Sequence, residues 1–189
     1  LPKTSFAKNH GANKPEPSLS FTLLSAASYV IVAIVVAACA LLEPLGTPDA
    51  IVFSHDNVRH FGQIECFTES GVWSSLSTTL YPDGYGAEFD PFGTTGFYPS
   101  AWHLVAAMAV DSLGTPVSFA ANATNIVFSA LIYPIGMFAL ISYLFPRRKD
   151  TILIGSVCTS AFTAFPWTVF GVWEVYPFAA SLCLVPAVA

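Results

Sequence analysis

Asp56 and His60 stand four residues apart in Ser54-His55-Asp56-Asn57-Val58-Arg59-His60, the densest polar stretch of the chain. On a helix that spacing puts both side chains on one face, where a carboxylate can take a proton and an imidazole can orient it. The pair would equally suit an Asp–His metal or phosphate site. Asp56 would also favour the helix dipole from the first turn, whatever else it does. His55 and His60 point in different directions.

A second cluster is Phe97-Tyr98-Pro99-Ser100-Ala101-Trp102-His103. Pro99 suits a first helical turn and leaves Trp102 and His103 at a membrane–water boundary. Tyr98 and Trp102 fit an interfacial aromatic belt. His103 would face the same cavity as Asp56 and touch a charged head group. The third cluster is Phe165-Pro166-Trp167 with Gly171-Val172-Trp173-Glu174-Val175-Tyr176-Pro177. Glu174, between Trp173 and Tyr176, is the only acid after Asp150. An ionisable residue near membrane depth is a functional candidate, against the alternative of a carboxylate solvated in a short loop.

Asp83, Glu88 and Asp90 lie among Tyr81, Tyr85, Phe89 and Phe92. Oxygen ligands from such a turn-rich loop could hold a divalent cation (Mg, Mn or Ca). Aromatic rings beside acids also suit a carbohydrate. No residues are assigned as metal ligands, because the spacing matches no ion-binding loop. Asn122-Ala123-Thr124 fits a glycosylation pattern but falls at the start of an apolar helix, where it is discounted.

The elements that would position these residues are membrane helices. The chain is 54% hydrophobic and 10% charged over 189 residues, whereas soluble domains carry about 25% charged residues. Phe21 to Leu42 has no charge and is long enough for a hydrocarbon core of about 30 Å. Further apolar stretches at 118–145, 151–166 and 178–189 onward read as crossings, so the expected fold is an all-α polytopic membrane protein. Residues 1–20 read as a cytoplasmic tail, 21–189 as the membrane domain, and the chain as a C-terminally truncated part of a longer one. The four cysteines form neither a disulfide framework nor a zinc spacing.

The charges orient this frame. Lys3, Lys8 and Lys14 precede the first apolar run, and Arg147, Arg148 and Lys149 follow the second. The loop 43–117 between them holds acids, three of the four histidines and Arg59 as its sole base. By the positive-inside rule the N-terminus is cytoplasmic and the loop lies outside, in a plasma membrane crossed several times. Within the loop, 54–71 reads as an amphipathic helix. The 13 residues from Ala101 to Leu113 are short for a crossing, and placing them along the outer interface agrees with every charge. No basic–aromatic interleaving supports nucleic-acid binding.

In this order the clusters resemble the N-terminal part of a C-type (GT-C) integral-membrane glycosyltransferase and, more narrowly, actinobacterial multi-pass membrane proteins related to that superfamily. The likeness rests on Asp56 and His60 in the first outer loop, then Tyr98-Pro99 with Trp102-His103, then Phe165-Pro166 with Trp173 and Tyr176-Pro177. It implies a polyprenyl-phosphate sugar donor, an envelope or carbohydrate acceptor, membrane lipid as a partner, and an acid in the first loop as base. Asp56 and His60 would then be catalytic. Arg59, Tyr98, Trp102, His103, Trp173, Glu174 and Tyr176 would bind substrate. The pattern departs in two places: the usual second acid after Asp56 is Asn57, and Arg59 is the only Lys or Arg in the outer loop that could hold a donor phosphate. The rival reading is a non-enzymatic polytopic protein, a transporter subunit or envelope scaffold. The absence of charge within the long apolar runs favours a site on the outer face over a translocation path.

Overall fold

The computed structural model describes residues 17–52, 55–76 and 98–189, and every regular element among them is a helix. The expected Ser54 cap and the aromatic–acidic loop with Asp83, Glu88 and Asp90 lie outside the described residues.

Three helices are long and apolar enough to cross a membrane: α1 (Leu19–Leu45), α4 (Val117–Leu144) and α5 (Lys149–Gly171). The shorter helices are α2 (His55–Ser70), α3 (Ala101–Leu113) and α6 (Tyr176–Val188). At 1.5 Å per residue, α1 and α4 reach roughly 40 Å, beyond the ~30 Å a bilayer core requires. Ser18 starts α1 by accepting from the Phe21 amide at 3.3 Å.

Helix α1 runs past the charge-free stretch ending at Leu42 and continues through Leu45. Pro44 cannot donate to the carbonyl four residues back, and its ring crowds that carbonyl. A π-turn at Ala38–Leu42 widens the ladder just before it. Helix α4 repeats the device, with a π-turn at Phe128–Ile132 ahead of Pro134. Helix α5 is regular to Ala161, breaks at Phe162 and Phe165, and resumes through a π-turn at Thr163–Thr168 that contains Pro166.

The buried faces are smaller and more polar than the exposed ones. Ser25, Tyr29, Ala33 and Ala37 line the inner side of α1, and Ile152, Gly155, Ser156, Thr159 and Ser160 that of α5. Leu23, Leu24, Ile31 and Ile34 on α1, with Leu153, Ile154 and Val157 on α5, face outward. Large apolar groups outside and small groups between helices form the pattern that lipid selects, because close backbone approach replaces hydrophobic driving force there.

Both chain directions and both ends follow from a few contacts. At one end Lys149 Nζ lies 5.1 Å from the Phe21 ring centre, and Tyr29 donates to the Ile152 carbonyl at 2.8 Å. Tyr29 also meets Phe138 edge-on at 5.5 Å. So α1 runs antiparallel to α4, and Arg147, Arg148 and Lys149 share an end with the start of α1. At the other end Asn122 Nδ2 donates to the Pro48 and Ala50 carbonyls, both at 2.9 Å. The chain therefore enters α4 at the end where it left α1, and α3 does not run from one end of the bundle to the other.

Instead α3 forms a hairpin with the first turns of α4. Gly114 makes the turn: its left-handed φ of 63° lets its amide reach the Val110 carbonyl at 2.8 Å and close α3. Helix α2 packs on α3 through Ile64 and Phe67, both fully buried. At about 1.5–3 kcal/mol for each buried side chain, these two residues fix α2 in place.

Candidate functional site

The polar clusters of the sequence meet at the end of the bundle away from Arg147–Lys149. Helix α2 presents His60 inward, α3 presents Trp102 and His103, the turn between α5 and α6 presents Glu174, and the start of α6 presents Tyr176. Trp102, His103 and Tyr176 are all buried. Tyr176 stacks on Trp102 at 4.9 Å and lies 5.3 Å from His60, between ring centres. Trp102 Nε1 donates to Asn125 Oδ1 of α4 at 3.1 Å, so a bond to α4 satisfies the indole buried between α3 and α6.

At the centre, His60 Nδ1 and His103 Nε2 are 2.8 Å apart. The His60 ring also hydrogen-bonds the backbone carbonyl of Glu174. A carbonyl only accepts, so with Nδ1 engaged by His103 the donor is His60 Nε2–H. In the neutral ring Nδ1 must then accept, and His103 Nε2–H donates to it. The proton order is thus fixed: His103 to His60 to Glu174. His103 Nδ1 remains as a bare lone pair, buried and without a hydrogen-bond partner among the described residues.

Burial pushes His60 down to about 4, partly offset by the Asp56 charge. It pushes His103 down to about 3, helped by His60 and by the Arg59 charge. Both rings are therefore neutral at physiological pH. In the unfolded chain they take up protons below pH 6.5, and in the folded one they do not. Stability is accordingly complete above pH 6.5 and declines as the pH falls towards 4, by about 1.4 kcal/mol per pH unit for each proton involved. The melting midpoint in detergent should drop across that window, with a shallower slope for His103→Phe. Equal slopes would contradict neutral burial of the pair.

Glu174 is 3% exposed and has a φ of 52°, making it the sole non-glycine residue with a positive φ among those described. That conformation costs an L-residue about 1–2 kcal/mol. Burial raises its carboxyl above the usual carboxylate range, and the Asp56 charge raises it further. A raised carboxyl binds its proton more tightly in the folded state, so Glu174 gains stability as pH falls, opposite to the histidines. The comparison with His103→Phe separates the two. Asp56 itself is exposed. The Asp56 charge reaches Glu174 across more than a hundred residues of sequence, so both acids lie at this end of the bundle.

Arg59 is exposed and lies 5.1 Å over the half-buried Tyr98 ring, which in turn meets His103 edge-on at 5.5 Å. His103 is wholly enclosed, and Arg59 is the exposed charge that acts on it. The His60 ring engages the Glu174 backbone and also feels the Asp56 charge. Trp173 points outward at 62% exposure and is not brought to the cluster.

Asn57 is 1% exposed. It donates to the Val52 carbonyl at 2.6 Å and hydrogen-bonds the Tyr176 hydroxyl, tying α2 to the start of α6. With Asn122, Asn125 and Tyr176 it supplies the polar part of an otherwise apolar cleft of ≈ 60 Å³ between the end of α1 and the start of α4. Leu41, Leu45, Phe61, Ile126 and Phe170 also line this cleft. Asn122 and Asn125 were not predicted as site residues. Two carboxamides in a membrane-length helix are themselves a signal, because such groups need partners there.

No curated protein sequence and no solved structure matches the chain. A family model does match, over residues 3–189, and the chain belongs to that family: DUF6541, a family of unknown function.

Proposed function

We propose that this end of the molecule transfers a sugar from a polyprenyl-phosphate donor to an acceptor hydroxyl on the outer face of a plasma membrane. The N-terminus would then be cytoplasmic and the protein multi-pass. The observation that carries the reading is the convergence of Asp56 with the buried, backbone-strained Glu174 beside a single exposed cation, Arg59. Two carboxyl groups at one end, one of them held towards its protonated form by burial, suit general acid–base chemistry.

In the proposed step the acceptor oxygen bonds to the anomeric carbon, and the bond from that carbon to the phosphate oxygen breaks. The acceptor proton passes to Asp56, and the departing electron pair stays on the phosphate. Arg59 offsets the charge that builds there. Glu174, enclosed and held towards its protonated form, does not compete as a second base. The neutral rings of His60 and His103 add no charge and leave phosphate recognition to Arg59. The apolar cleft beside Tyr176 has no charged lining residue, which suits the uncharged chain of such a donor.

Orientation is tested by single cysteines in a background without the native four. A cysteine at Glu65 should react with an impermeant thiol reagent in intact cells, and one at Arg148 should react only after permeabilisation. The reverse pattern would remove the outer-face assignment. The chemistry is tested by turnover of a labelled polyprenyl-phosphate sugar.

A further inference from the structure

The strained backbone at Glu174 needs something outside its own turn to hold it. Glycine would adopt this conformation freely, whereas a glutamate there must be constrained by its surroundings. The residues on either side are already tied down. The amides of Val172 and Trp173 both donate to the Thr168 carbonyl, at 2.9 and 3.1 Å, closing the end of α5. The Val175 carbonyl accepts from Ala179 at 2.9 Å, opening α6. Glu174 is thus the joint between two helix ends, and the ring of His60 bonds its carbonyl from a third helix. His60 is in turn fixed by His103 at 2.8 Å and flanked by the rings of Trp102 and Tyr176.

We propose that His60 and His103 are positioning residues for Glu174: the directed chain from His103 Nε2–H through His60 to the Glu174 carbonyl holds that residue in its left-handed conformation and so aims its carboxylate at Asp56. The hold rests on hydrogen bonding alone. Its catalytic meaning rests on the sugar-transfer reading above. A ring pair that stays neutral suits this task, since a protonated His60 Nδ1 could no longer accept from His103 and the order of donors would be lost.

The test is a double-mutant cycle on the full chain in detergent or nanodiscs. Glu174→Gly and Glu174→Ala are compared by melting midpoint, first alone and then with His60→Phe. If the histidine chain enforces the left-handed backbone, Glu174→Gly melts about 2–4 °C above Glu174→Ala, as expected for a change of this size in a chain of this length. In the His60→Phe background the turn relaxes and the gap closes. The same gap in both backgrounds, or none in either, overturns the proposal.

Should His60→Phe fail to fold, ¹⁵N-histidine NMR of the unaltered protein near pH 7 decides. Both rings should carry their proton on Nε2 and show bare Nδ1. A proton on His103 Nδ1 with bare Nε2 would mean that His60 donates to His103, leaving no donor for Glu174, and would equally overturn it. Neither measurement uses turnover. A closed gap with no detectable sugar transfer would keep the hold and reject the chemistry.

Discussion

Asp56→Asn should lower sugar transfer by about 10²–10⁴-fold, the usual contribution of a positioned general base. The loss should appear in kcat rather than in binding, because the carboxamide keeps the shape of the side chain and lacks only the basic oxygen. Asp56 is exposed in the first turn of α2. Its removal should therefore cost little stability, about 0.3–1 kcal/mol from the helix dipole. Glu174→Gln should retain more activity than Asp56→Asn, since Glu174 does not compete as a second base, and should shift the alkaline side of the pH–rate profile. An Asp56→Asn protein that folds, inserts and turns over at the normal rate would remove the base assignment.

Gly155→Leu should have the largest effect on stability. A Cβ at this position would overlap the Tyr29 hydroxyl and come within 2.9 Å of Ile141 Cδ1. Tyr29 cannot easily give way, because its hydroxyl donates to the Ile152 carbonyl at 2.8 Å and its ring packs edge-on against Phe138. Overpacking a tight contact costs about 1–3 kcal/mol, and here a branched side chain would part α5 from both α1 and α4. The melting midpoint should fall by several degrees or more, and pairing the change with Tyr29→Ala should recover part of the loss. A Gly155→Leu protein as stable as the parent would show that the α1–α5 approach is looser than described.

The elements were largely legible in the sequence because hydropathy reports length directly. The stretch expected at 118–145 is the helix Val117–Leu144, and the short apolar segment Ala101–Leu113 is a helix with those bounds. The amphipathic segment expected at 54–71 is His55–Ser70. The π-turns were less visible, since they answer to prolines whose effect depends on how neighbouring helices absorb the widened ladder. The inward faces of α1 and α5 could not be read from periodicity, because lipid-facing and core-facing residues are both apolar and differ mainly in size.

For the site, residue types were visible and partners were not. Asp56, His60, His103 and Glu174 were each singled out from local sequence. Nothing local indicates that His60 bonds Glu174 rather than Asp56. That pairing depends on α6 starting beside α3, a contact set by the bundle. Asn57 shows the same limit. Read beside Asp56 it was a missing acid. In the fold it points the other way and joins Val52 to Tyr176.

The central claim is that Asp56 and Glu174 form one catalytic site at the end of the bundle away from the basic cluster. Its most direct test is single-turnover transfer of radiolabelled sugar from a polyprenyl-phosphate donor by the full-length protein in proteoliposomes, comparing the parent with Asp56→Asn. The parent should give product, and the variant a rate at least about a hundredfold lower at equal donor binding. Equal product from both would contradict it. So would donor binding without product from either, and the polar cluster would then stand as an internal brace of a scaffold rather than as a site of chemistry.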